Sequence, residues 1–210
     1  MKIMKLDISA CMLSGLIITF ALVGGTTAYG QAVDPNKTAK AEVMRDAEFV
    51  TINIRDNEDA VFLSQKAADR GTEIRLKELA QTMIENHSAM LYQMQQLQSA
   101  GTGTSKQQAG SGKGSPAAAD LNYKLARTPG EDFDTTWIQG VLAMQEAKYQ
   151  ELVQAKETVR NSQLKMAITD AIPLVRKEIS ELKSIYKYLL KSAIQKKKEA
   201  AARAKQAKQK

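Results

Sequence analysis

The chain has 210 residues, 43% hydrophobic and only 5% aromatic, and is rich in the helix formers Ala, Lys, Gln, Glu and Met, which favours one all-α domain over a sheet. Its formal charge of +7 is carried by Lys191 to Lys210, which hold eight basic side chains and one acid; residues 1–190 therefore sum to zero, and a basic face spread over the domain is excluded. The one cysteine, Cys11, lies in the N-terminal segment, so a chain cleaved after that segment has no disulfide, thiol nucleophile or cysteine metal site.

Residues 1–32 read as a signal peptide. Lys2 and Lys5 supply a positive start, and Cys11 to Val23 an apolar core too short for a membrane span. Small residues around Ala28-Tyr29-Gly30 and Gly30-Gln31-Ala32 predict cleavage after Gly30 or Ala32. The expectation is an exported protein. Residues 33–40, with Pro35 and Asn36, read as a linker before a bundle over 41–190.

The spacing predicts a first helix from about Ala41 to Asp69, with a stripe through Val43, Ala47, Val50, Ile54 and Val61 that Asn57 or Glu58 interrupts. Arg70-Gly71-Thr72 supplies a terminating glycine and a threonine able to cap the next helix, so the first two helices are expected to be antiparallel neighbours. The second helix carries Leu76, Leu79, Met83, His87, Met90, Met94 and Leu97 at steps of three and four. Residues 99–119, with five glycines, Ser, Thr and Pro116, read as a flexible loop. Its GSGKGS run resembles a phosphate loop but breaks the Walker pattern, since Gln107 stands where a glycine is needed and Gly114 follows Lys113.

After a short helical piece over Asp120 to Arg127 and a turn at Pro129-Gly130, the third long helix carries Phe133, Trp137, Val141, Met144, Leu152, Ala155 and Val159. The fourth begins near Ser162 with the most regular seam: Leu164, Ile168, Ala171, Val175, Glu178, Leu182, Ile185 and Leu189, alternating steps of four and three in the manner of a coiled coil. Pro173 is expected to kink it. Beyond Ile194 the apolar positions stop, and residues 191–210 form a Lys/Ala-rich tail. The whole predicts an antiparallel four-helix bundle.

Three polar side chains fall on apolar seams: Glu58 (or Asn57), His87 and Glu178. Burial of a carboxylate is costly without a partner, so each must meet another group. One reading gathers them as a metal site for iron or another divalent ion. A carboxylate-bridged di-iron site, however, needs a Glu from each of two helices and a Glu-x-x-His from each of the other two, and here Ile84 precedes the one histidine, His87, by three residues. The plainer reading makes His87 a neutral core histidine, with Glu178 paired to His87, Lys148 or Arg176. Met83, Met90, Met94 and Met144 read as core filler rather than soft-metal ligands. No catalytic constellation and no resident cofactor are expected.

The tail residues Lys196, Lys197, Lys198, Arg203, Lys205, Lys208 and Lys210 read as a docking element for an anionic surface, lipid headgroups or an envelope polymer. Nucleic acid is not expected, because the tail interleaves no aromatic residues. A solubilising tail is the alternative.

Asp46-Ala47-Glu48-Phe49-Val50, Leu79 through His87, Phe133-Asp134-Thr135-Thr136-Trp137 and Ile172-Pro173-Leu174 together resemble the bacterial "domain of unknown function 4142" family, over about residues 44–190. That resemblance implies a ferritin-like four-helix bundle in the periplasm or at the outer membrane, and no known reaction. It also implies polar positions where this chain departs from the pattern. Family members usually carry Asp where this chain has Asn86, and histidines where it has Gln145 and Glu178. Three functions follow as expectations: a non-enzymatic envelope binding or structural module, a ferritin-like metal or redox protein, and a periplasmic chaperone-like holdase.

Overall fold

The computed structural model describes residues 35–101 and 114–207, with side chains from Arg45 onward except Glu131. Residues 1–34, which include the stretch read as a signal peptide, the greater part of the Gly/Ser-rich loop, Lys208 and Lys210 lie outside the described residues. Among those described, every regular element is helical: α1 (Pro35–Arg70), α2 (Ile74–Gly101), α3 (Pro116–Arg127), α4 (Gly130–Thr158) and α5 (Ser162–Ala207). No helix among them is long and apolar enough to cross a membrane.

Several boundaries move outward from the sequence reading. α1 begins at Pro35, inside the stretch read as a linker, because proline fits the first helical turn, where its missing N–H is not needed. α2 continues through Gly101, and α3 starts at Pro116, with the Ser115 hydroxyl accepting from the Ala118 N–H. The loop is thereby shortened at both ends. α5 runs without interruption through Pro173 and on to Ala207.

The helices bury two apolar clusters. One joins the end of α1 (Leu63, Ala67) and the start of α2 (Leu76, Leu79, Met83) to α3, the start of α4 (Phe133, Trp137, Ile138) and Leu182 and Ile185 of α5. The other joins Val50 and Ile54 of α1 and Met90 and Met94 of α2 to Leu152, Ala155 and Val159 and to Leu164 through Val175. α1 packs along α2, α4 along α5, and α2 against α5. Trp137 is fully buried and anchors the first cluster by donating from Nε1 to the Leu63 carbonyl at 2.8 Å.

Three aspartates fasten this arrangement by holding the starts of other helices. Asp134 of α4 accepts from the Thr72 N–H at 3.0 Å, the Thr72 hydroxyl at 2.6 Å and the Glu73 N–H at 2.9 Å. Asp46 of α1 accepts from the N–H groups of Arg160 and Asn161 ahead of α5. Asp59 of α1 accepts from the Ser115 N–H at 2.7 Å ahead of α3. A carboxylate suits these places because helix starts present unpaired N–H groups and a partial positive charge. Thr72 was expected to cap α2 itself; here its hydroxyl donates to Asp134, which does the capping from across the bundle.

Gly71 makes the tight passage from α1 to α2. Its φ is not in the left-handed region, so the need is for space: a Cβ there would lie 2.6 Å from the Ala67 carbonyl oxygen and 2.7 Å from the Leu76 methyl.

Candidate functional site: a buried polar layer

Between the two apolar clusters lies a layer of polar side chains, supplied by α1 (Asn57), α2 (Asn86 and His87), α4 (Gln145) and α5 (Glu178). Heptad-like seams deliver them: His87 follows Met83 by four residues, Gln145 follows Val141 by four, and Glu178 sits between Val175 and Leu182. His87 and Glu178 are 3% and 1% exposed, so each must be satisfied inside the protein.

They are. Asn57 Nδ2 donates to the Asn53 carbonyl at 2.7 Å, which leaves Asn57 Oδ1 as the acceptor facing His87 Nδ1 at 2.8 Å. His87 therefore carries a proton on Nδ1. Its Nε2 lies 2.8 Å from Gln145 Nε2 and 3.2 Å from Glu178 Oε2. Gln145 Nε2 is also 2.8 Å from Glu178 Oε2. With Nε2 unprotonated, the two amide hydrogens of Gln145 serve the imidazole and the carboxylate in turn. The other Glu178 oxygen accepts from Asn86 Nδ2 at 2.9 Å. A second proton on His87 would be donated to Glu178 Oε2, and the Gln145 amide would have to turn away from Nε2. Chemically the layer is an imidazole and a carboxylate clasped by three carboxamides.

Beside the layer is a cavity of about 200 Å³, lined by Asp56, Asn57, His87, Met144, Gln145 and Lys148 among others. Lys148 was one expected partner of Glu178. It instead bonds Asp56 at 3.0 Å and Glu151 at 3.3 Å at the edge of this cavity. Arg176 is exposed and takes no place in the layer.

The structure brings His87 and Glu178 together and leaves Glu58 out. Glu58 is exposed, and the helical turn places the neighbouring Asn57 on the seam. Met144 is only half-buried, and the buried α4 position is Gln145. The signal for Gln145 was present in its spacing of four from both Val141 and Tyr149, but an apolar neighbour masked it. Of the three positions singled out through the resemblance, Gln145 and Glu178 meet His87 directly, and Asn86 meets Glu178.

A metal ion is poorly matched to this donor set. Two carboxamides direct N–H groups at the Glu178 oxygens, where a cation would sit, and Asn57 Oδ1 is committed to His87. Among the described residues no three His, Cys, Asp or Glu side chains are grouped to hold a metal.

The tail residues Lys196, Lys197, Lys198, Arg203 and Lys205 lie on the last turns of α5, far along the chain from the layer. Past Leu189 no described residue joins either core cluster, and every residue from 190 to 207 except Ser192 is exposed. At about 1.5 Å per residue, the helix from Lys191 to Ala207 extends about 26 Å past the core.

The molecule is thus a helical bundle whose core is divided by a self-satisfied polar layer. The chain belongs to the family described as Domain of unknown function (DUF4142), whose model matches residues 31–185. No curated protein matches it. Among solved structures it is similar to CopM in the Cu(II)-bound form, with a TM-score of 0.60 and 19% identity over 68% of this chain and 96% of that one. CopM in the apo form is similar at a TM-score of 0.54 and 16% identity, with the same coverage. At such identities the likeness concerns the fold.

Proposed function

We propose that this chain is an exported, non-enzymatic binding module of the bacterial envelope, an antiparallel ferritin-like four-helix bundle that acts through its surface. It attaches by the basic end of α5 to an anionic surface in the periplasm or at the outer membrane. One observation carries this reading: the domain proper is neutral, while α5 continues beyond the last core residue as an exposed helix bearing Lys191, Lys197, Lys198, Arg203 and Lys205. A sequestered charge of one sign attracts surfaces of the other, at about 1 kcal/mol per basic residue near an anionic membrane. The family membership and the sequence of residues 1–32 support export. Co-sedimentation with anionic vesicles and with cell-wall sacculi, comparing the exported chain with one ending at Leu190, tests it. Loss of binding on truncation is expected, and equal binding by both forms would remove the tether.

A second reading, a metal-binding or redox protein, is favoured by one observation, the likeness to a fold seen in a Cu(II)-bound form. It requires the Asn86 and Gln145 amides to turn away from Glu178. Elemental analysis of the untagged chain beside the double variant His87→Ala, Glu178→Ala decides it. About one metal per chain, lost in the variant, would establish a site in the layer, and no metal in either would leave the layer structural.

A further inference from the structure

The exposed end of α5 is more than a run of charge. At about 100° per residue, Leu190, Ile194 and Ala201 fall within about 40° of one another on the helix. Leu190 and Ile194 are 43% and 55% exposed and touch no core cluster. Lys187, Lys197 and Lys205 flank that stripe within about 40° of its centre, Lys198 a little farther, while the segment's one acid, Glu199, stands about 160° away. Glu199 is held there by the Gln195 side chain, which donates to it at 2.8 Å. So the apolar side chains and most of the lysines share a face, and the negative charge is turned from it.

We propose that this face lies in the surface of an anionic lipid bilayer, with Leu190 and Ile194 entering the boundary below the headgroups. The flanking lysines lay their methylene stems along the same boundary and bring their ammonium groups to the lipid phosphates. This rests on the tether reading above and names its partner. A hydrated polysaccharide would draw on the charge but would gain nothing from Leu190 and Ile194, whereas a bilayer uses both. The helix is already formed along its length, so docking does not have to order it.

Two pairs of variants in the exported chain separate a face from a diffuse charge. Ala201→Glu puts an acid at the centre of the stripe, and Ala200→Glu puts the same acid about 100° round the helix. Both positions are exposed, both lie three or four residues from a basic side chain, and both variants carry the same net charge. Flotation with phosphatidylglycerol–phosphatidylcholine vesicles should show binding weakened about tenfold by Ala201→Glu and only about threefold by Ala200→Glu. Leu190→Gln with Ile194→Gln, which keeps all charges and a good helix former at each site, should also weaken binding about tenfold. Equal effects of the two glutamates, or no effect of the glutamines, would overturn the lipid-facing stripe. Binding to cell-wall sacculi but not to vesicles would overturn it while leaving the tether intact. Binding to neither would remove the tether and this proposal together.

Discussion

Replacing Glu178 by alanine should cost about 3 kcal/mol, and the reason lies in what surrounds it. Three donors converge on its carboxylate or lie against it: Asn86 Nδ2, Gln145 Nε2 and, when protonated, His87 Nε2. Asn86 is half-buried and can turn to water, so it loses little. Gln145 and His87 keep each other, but one buried amide hydrogen is stranded, at roughly 1–3 kcal/mol. The deleted side chain leaves a void between Val175 and Leu182, for roughly a further 1–2 kcal/mol, and removal of a buried charge returns some of its desolvation cost. Glu178→Gln keeps the volume and an acceptor and should cost only about 1 kcal/mol. Urea unfolding followed by circular dichroism and by Trp137 fluorescence measures both, and an unchanged m-value would show that the folded state is preserved. A cost below about 1 kcal/mol for Glu178→Ala would refute the buried, fully bonded carboxylate from which the number is built.

Three further substitutions probe other parts of the frame by the same unfolding measurement. Asp134→Ala removes one acceptor shared by Thr72 and Glu73 at the start of α2, and should lower stability by about 2 kcal/mol, with Asp134→Asn recovering part of it. Gly71→Ala forces a Cβ against the Ala67 carbonyl and Leu76, and should cost about 1–3 kcal/mol although alanine is the better helix former. Ser64 points the other way: among the described residues its hydroxyl is fully buried without a hydrogen-bond partner, so Ser64→Ala should be neutral or stabilise by up to about 1 kcal/mol, and a loss above that would reveal a bond to this hydroxyl.

The seams of α2 and α5 were legible because a period of three and four over many residues admits one buried face. All of the α5 residues placed on its seam are buried, save half-buried Leu189. His87 and Glu178 were legible for the same reason, as polar letters in an apolar rhythm. Their pairing with each other was among the expected ones, but which residue of α1 meets them was not legible. Asn57 and Glu58 are adjacent, and a one-residue uncertainty in phase turns a helix by about 100°, enough to exchange core for solvent. The capping aspartates were hidden for another reason: Asp134 serves a helix whose first residues precede it by some sixty positions, and nothing local in Phe133-Asp134 announces that. Linker and loop limits shifted because proline reads as a breaker but also begins helices, as Pro35 and Pro116 do.

A polar layer set between two apolar clusters has a consequence for alignment. Helices packed through heptad seams can slide by a heptad and still match apolar to apolar, so apolar contacts alone leave the register weakly determined. Here each of the four long helices contributes a polar group, and those groups satisfy one another in a single alignment. Slippage of α5 by one heptad would carry Glu178 away from Asn86, His87 and Gln145, and would put Ala171 or Ile185 opposite them. Glu178 would then be buried without its partners and the Gln145 amide would lose one of its two, at several kcal/mol in total. The layer is therefore expected to give up stability in exchange for uniqueness. The fourfold variant Asn57→Leu, His87→Leu, Gln145→Leu, Glu178→Leu should resist urea at least as well as the parent. It should also show weakened near-ultraviolet circular dichroism and multiple or broadened amide signals in a proton–nitrogen correlation spectrum. A single sharp set of signals from that variant would show that apolar packing and the aspartate caps suffice to set the register without the layer.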